Sequence, residues 1–205
     1  MSRPRSQLWW GRLALVVSLL LSACATRPTV PPPSLSAENQ RSLLQALTSF
    51  NFTGRVAITG QDPVPSMKWE QQDDATRITF SAPLGLGSLQ VEYRPGRLRM
   101  VTNRGEKLAG SEAENALANA MGLVPPFDSL RYWILGVPAP GTSAPIATFD
   151  ADGLMQQLQQ QDWTISYKSR VAVKTATGVV QLPRKLVATQ ANRKLTLVID
   201  RWRIK

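Results

Sequence analysis

The chain has 205 residues, with 24 Lys and Arg against 14 Asp and Glu, a formal charge of +10, no histidine and one cysteine. Those counts exclude Ser-His-Asp and Cys-His machinery, the usual zinc sites built on His and Cys, and any disulfide within the chain. The length suits one ordinary domain with a real core.

The first segment carries Arg3, Arg5 and Arg12, then an apolar run from Leu13 to Leu21, then small residues, the layout of a secretory signal. That run is about half of the ~20 residues a permanent membrane helix needs, so residues 1–23 are read as a removable signal and not as part of the fold. The segment ends in Leu21-Ser22-Ala23-Cys24, which resembles the lipobox of bacterial lipoproteins, in which the cysteine becomes the first mature residue and carries lipid. Ala25 and Thr26 follow where an aspartate would imply retention in the inner membrane, so the resemblance implies sorting to the outer membrane. Removing residues 1–23 takes three arginines and no acids from the formal +10, which leaves +7. For an exported chain that balance suits anionic headgroups or an acidic partner better than nucleic acid, and the scattered charges equally suit a plain solvated surface.

Residues 24–35 hold the cysteine and a Pro-rich spacer (Pro28, Pro31, Pro32, Pro33), and the domain is expected over 36–205. Ser36 can cap a helix striped by Leu43, Leu44, Leu47 and Phe50. The period then changes to two. Phe52, Val56 and Ile58 alternate with polar neighbours, as do Ile78 and Phe80, and Leu89, Val91 and Tyr93; Leu98 and Met100 follow across the turn Pro95-Gly96. Ser111 and Glu114 suggest a capping box for a helix that Gly122 closes, and a second helix after Pro126 carries Leu130, Trp133 and Ile134 to Gly136. Strands resume at Trp163-Ile165-Tyr167, at 186–189 and at Leu195-Leu197-Ile199. Trp202 and Ile204 have the opposite parity, which requires a bulge near Asp200. The expected fold is α+β: a strongly curved antiparallel sheet forming a half-open β-barrel, with a helical lid over an apolar cavity.

No Gly-rich nucleotide loop is present, so ATP is not directly available to this chain. Paired acids could serve a glycosidase, but Asp73 with Asp74, Glu112 with Glu114, and Asp150 with Asp152 fall in apparent turns or a first helical turn, where structural roles account for them better. No catalytic residue, metal ligand or cofactor is expected. Large inward-facing groups are expected at Trp69, Trp133, Trp163, Trp202, Phe52, Phe80, Tyr93 and Tyr167.

Several motifs in order resemble the LolB family: Phe52-Thr53-Gly54-Arg55-Val56-Ala57, Ser81-Ala82-Pro83-Leu84-Gly85, the run from Leu130 to Pro138, Leu182-Pro183, and Ile199-Asp200-Arg201-Trp202. The resemblance implies an open barrel that accepts lipoproteins from a LolA-type periplasmic carrier by binding their acyl chains and inserts them into the inner leaflet of the outer membrane. A monomer suffices for that, and nucleic acid has no part in it. By the same resemblance the leucine of Pro-Leu-Gly is exposed and passes cargo to the membrane. Leu84 matches it, and a second Leu-Gly unit makes Leu86 the other candidate for the loop tip. Expected cavity walls are Val56, Ile78, Phe80, Leu89, Val91, Trp133 and Leu135. The alternatives are a structural envelope lipoprotein with a fully packed core, and a carboxylate-dependent glycosidase.

Overall fold

The computed structural model describes residues 34–60, 62, 64–83, 87–141 and 144–204. Eleven described strands form one antiparallel sheet. The first arm runs β1 (Ser49–Ile58), β2 (Ser66–Gln72), β3 (Ala75–Ser81), β4 (Ser88–Arg94), β5 (Arg97–Thr102) and β6 (Lys107–Ala109). The second runs β7 (Ile146–Phe149), β8 (Met155–Gln160), β9 (Trp163–Lys174), β10 (Val179–Gln190) and β11 (Arg193–Ile204). Each arm is a meander, and pairing of β1 with β11 joins them, so the order is β6-β5-β4-β3-β2-β1-β11-β10-β9-β8-β7. The sheet is curved and open; β6 and β7 are its two edges and do not close on each other.

Alternation decides which face is buried. Along β1, Phe50, Phe52, Gly54 and Val56 are buried while Thr53 and Arg55 face out. A bulge corrects the phase on β11: Thr53 pairs with Arg201 and Gly54 with Ile199, which leaves Asp200 as the extra residue. Trp202 and Ile199 therefore both point inward, and Trp202 packs 5.0 Å from Phe52, centroid to centroid.

Helix α1 (Ala37–Ala46) is capped by Ser36, whose hydroxyl accepts from Asn39 N–H. It is shorter than its apolar stripe suggests. Phe50 belongs to β1, where it packs on Trp202 at 6.0 Å, so aromatic packing overrides helical spacing there. Helix α2 (Ser111–Met121) starts from Gly110 with no side-chain cap, so the expected Ser111–Glu114 box does not form: Ser111 is already the first helical residue. Helix α3 (Phe127–Leu135) follows Pro126, and α2 and α3 end on left-handed Gly122 and Gly136. Both helices contribute to the sheet's core, through Ala113 and Leu117 from α2 and Phe127, Trp133, Ile134 and Leu135 from α3.

The described residues belong to one compact unit, Pro33–Lys205, which holds every described strand and the whole core. A unit with its own core has what independent folding requires. Ser34 bridges to Val179, and Leu35 N–H donates to the Val179 carbonyl at 3.1 Å, so the chain enters the unit at the Val179 end of β10.

Candidate functional site

Of the hollows among the described residues, two lie along the inward and outward faces of the first arm. One, about 280 Å³, is a groove on the outer face lined by Arg77, Glu92, Arg94, Arg97 and Arg99 among others. Its charges are partly spent on one another, as in Arg77–Glu92 at 3.2 Å, and it has little to offer an apolar ligand. The other is a cavity of about 50 Å³ between the sheet and the two later helices, and its walls carry no charged or amide side chain.

The cavity follows from cross-strand pairing. On the first arm Trp69 pairs with Ile78, Ile78 with Val91, and Met67 with Phe80, so the inward side chains of β2, β3 and β4 make a continuous apolar row. Val56 pairs with Leu197, which pairs with Leu186, and this carries the row onto the second arm. Helix α2 closes the space with Leu117 and Met121, and α3 with Phe127, Leu130, Trp133 and Ile134, at the spacing of one helical face.

Of the residues expected as walls, Val56, Ile78, Phe80, Val91 and Trp133 line this space. Leu89 and Leu135 do not. Leu89 shares the inward face of β4, but it pairs with Phe80 and Thr102 near the strand end and lies beyond the cavity. Leu135 is buried, but it sits two residues past Trp133, roughly 200° around the helix, on another face. Sequence reasoning did not list Trp69, Trp163, Leu117 or the inward residues of β10 and β11 as walls, although the same alternation marks the strand residues among them. Cys24, Leu84 and Leu86 lie outside the described residues. The loop that holds the leucines is flanked by Ala82 and Gly87, whose N–H and carbonyl bond at 2.9 Å, at the far end of β3 from the Asp73 turn.

Polar bonds hold α3 over the cavity. Arg131 Nη1 donates to the Asp73 carbonyl at 2.8 Å and Nη2 to the Tyr132 hydroxyl at 2.7 Å; the Tyr93 hydroxyl donates to Asp128 at 2.6 Å. Ser129 donates to Gln161 at 2.8 Å. Deeper, Trp133 Nε1 donates to Gln160 Oε1 at 2.8 Å, and the Tyr167 hydroxyl to the Trp133 carbonyl at 2.9 Å. Burial pushes the Tyr167 phenol well up, so it stays a donor at all ordinary pH. The acid pairs occupy turn and helix-start positions. Asp73 and Asp74 make a turn, Glu112 and Glu114 sit in the first turn of α2, and Asp150 accepts from the N–H groups of Asp152 and Leu154.

A family model described as outer membrane lipoprotein LolB matches residues 48–202. The chain belongs to the LolB family. It is 33% identical to an outer-membrane lipoprotein LolB of Cellvibrio japonicus, over 94% of this chain and 95% of that one. It is 30% identical to that of Nitrosococcus oceani, over 95% and 98% respectively. Among solved structures it resembles a domain from Vibrio parahaemolyticus described as an outer membrane lipoprotein-sorting protein domain, with a TM-score of 0.50 over 82% of this chain and 91% of that one. At 7% identity that likeness speaks to the fold alone. The stretch that matches the LolB family spans the cavity-lining strands and both lid helices.

Proposed function

We propose that this chain is a lipoprotein anchored in the outer membrane through lipid on Cys24, facing the periplasm, with residues 1–23 as its signal, 24–35 as its tether and 36–205 as its working domain. In this reading it accepts lipoproteins from a LolA-type carrier by binding their acyl chains and inserts them into the inner leaflet, as a monomer and without catalysis. The observation that carries the reading is the wholly apolar cavity under α2 and α3. Membership of a family of outer-membrane lipoproteins supports it.

The energetics suit a passive receiver. At ~0.8 kcal/mol per buried CH₂, a long acyl chain costs on the order of 10 kcal/mol to leave in water, so cargo must pass between apolar sites. The cavity's 50 Å³ is far below the roughly 300–1,000 Å³ that ligand sites occupy. Loading therefore requires α3, and α2 with it, to move outward from the sheet. A site that exists only when opened also releases its cargo readily, as handing on to a membrane demands. Leu84 and Leu86 are proposed to enter the membrane during that release.

The same small volume favours one rival, a structural lipoprotein whose core is simply packed. Mixing the unacylated unit Pro33–Lys205 with a LolA-type carrier loaded with a lipoprotein, without ATP, separates the two. Cargo recovered on this unit supports transfer. Cargo that stays on the carrier while the unit is folded gives first place to the rival.

A further inference from the structure

Trp69 is 1% exposed and lines the cavity, and its indole Nε1 has no acceptor among the described residues. Two other buried indoles are bonded: Trp133 Nε1 donates to Gln160 Oε1 at 2.8 Å and Trp202 Nε1 to the Pro183 carbonyl at 2.9 Å. Trp69 pairs across the sheet with Phe52 and Ile78, neither of which carries an acceptor, and its ring stacks on Phe52 at 5.9 Å. Resident water does not answer for it, because a buried water needs two to four polar partners and no side chain in these walls carries an oxygen acceptor. An orphaned buried donor is costly and uncommon. The other such atom, Arg131 Nε, belongs to a guanidinium already bonded to Asp73 and Tyr132 and is not in the cavity wall.

We propose that the Trp69 indole N–H recognises the carbonyl at the head of a bound acyl chain, donating to its ester or amide oxygen once the lid opens. The inference rests on the acyl-binding reading and sharpens it: the cavity selects acyl chains over plain hydrocarbon of the same length. A hydrocarbon leaves the donor orphaned. An ester or amide brings the single acceptor that the cavity lacks. The bond also fixes how deep a chain can slide, because the carbonyl stops at Trp69 while the methylenes fill the space that the lid vacates.

The test uses the unit Pro33–Lys205 and displacement of 11-(dansylamino)undecanoic acid by methyl palmitate, N-methylpalmitamide or octadecane, each delivered from cyclodextrin. The expected result is that Trp69→Phe, which keeps the ring against Phe52, leaves octadecane binding within about twofold. It lowers the preference for ester or amide over octadecane by about fivefold, the weight of one net hydrogen bond. The ester and amide arms tell which carbonyl of a lipoprotein's lipid is read, and a tryptophan-dependent preference in either supports the proposal. Equal preferences in wild type and variant overturn it while the acyl-binding reading stands. Failure of the folded wild type to bind any of the three overturns both. If Trp69→Phe does not fold, the Trp69 indole N–H resonance of the wild type answers instead. A downfield shift with methyl palmitate and none with octadecane supports the proposal, and no difference between the two overturns it.

Discussion

The Tyr93 hydroxyl donates to Asp128 Oδ2 at 2.6 Å, tying the fourth strand to the first turn of the lid helix α3. The ring above that bond stacks on Phe127 at 4.8 Å. Burial first, and then the bond to Asp128, push the Tyr93 phenol up to about 12. A phenol held protonated in the fold contributes stability that is fully present below its ordinary pKa of about 10 and is lost as pH rises through 12. Urea titrations should therefore give falling stability between pH 10 and 12, with a shallower fall in Tyr93→Phe. Some fall persists in the variant, because Tyr167 is raised as well. At pH 7 the variant should lose about 1 kcal/mol. It should also take up a fluorescent fatty acid faster in stopped flow, because one of the ties on the lid is gone.

Gln160 is buried, accepts from Trp133 Nε1 and from Ala139 N–H at 3.0 Å, and donates to the Ala139 carbonyl at 3.0 Å. Gln160→Ala removes three interior hydrogen bonds at once and should cost about 3 kcal/mol in denaturant unfolding. A loss below ~1 kcal/mol would mean that the lid's polar base is dispensable.

A Cβ on Gly54 would stand 2.3 Å from the Val198 carbonyl oxygen, a backbone atom held in the β1–β11 ladder beside the Asp200 bulge. Gly54→Ala must push the two strands apart and should destabilise by about 3 kcal/mol. Gly87→Ala, whose new Cβ meets only the Asn103 amide at 3.5 Å, serves as the near-neutral control in the same thermal melts.

If the loop between Pro83 and Gly87 delivers cargo to the membrane, Leu84→Glu should leave the fold and uptake from the carrier intact while insertion into vesicles drops, because a carboxylate resists the apolar layer. Insertion at the wild-type rate would remove Leu84 from the mechanism and turn attention to Leu86.

Strict alternation made β1, β3, β4, β5, the start of β9 and β11 legible in the sequence, with β10 read only at 186–189, and the parity change after Ile199 located the bulge that the register puts at Asp200. What hid the other strands was buried polarity or missing polarity contrast. In β2 the inward row ends on Gln71, buried because its amide donates to the Asp73 carbonyl at 2.9 Å and accepts from Thr76 at 2.8 Å. In β8 it ends on Gln160, and in the edge strand β7 both Ile146 and Phe149 are exposed. Alternation also says only which way a side chain faces. Whether it borders open space depends on where the helices sit, which is why Leu89 matched the pattern and missed the cavity.

Ser34 meets Val179 at one end of the strands, while Ala82 and Gly87 flank their loop at the other, beyond Ser81. If Cys24 carries lipid, as proposed, residues 25–33 are its leash to Ser34, and they reach at most ~3.3–3.6 Å per residue. That contour is close to the length of a ten-residue strand such as β1, at ~3.3 Å per residue. If the domain is moored at Cys24 as proposed, that reach would let the loop touch the same membrane, with the leash slack when the strands lie along the bilayer and nearly taut when the loop end points down. With the Ser34 end down, the same loop would point away from the membrane, toward the proposed carrier. On such a mooring the length of the Pro-rich segment would limit how far the domain can tip, and lengthening or shortening it would retune that limit without touching the cavity.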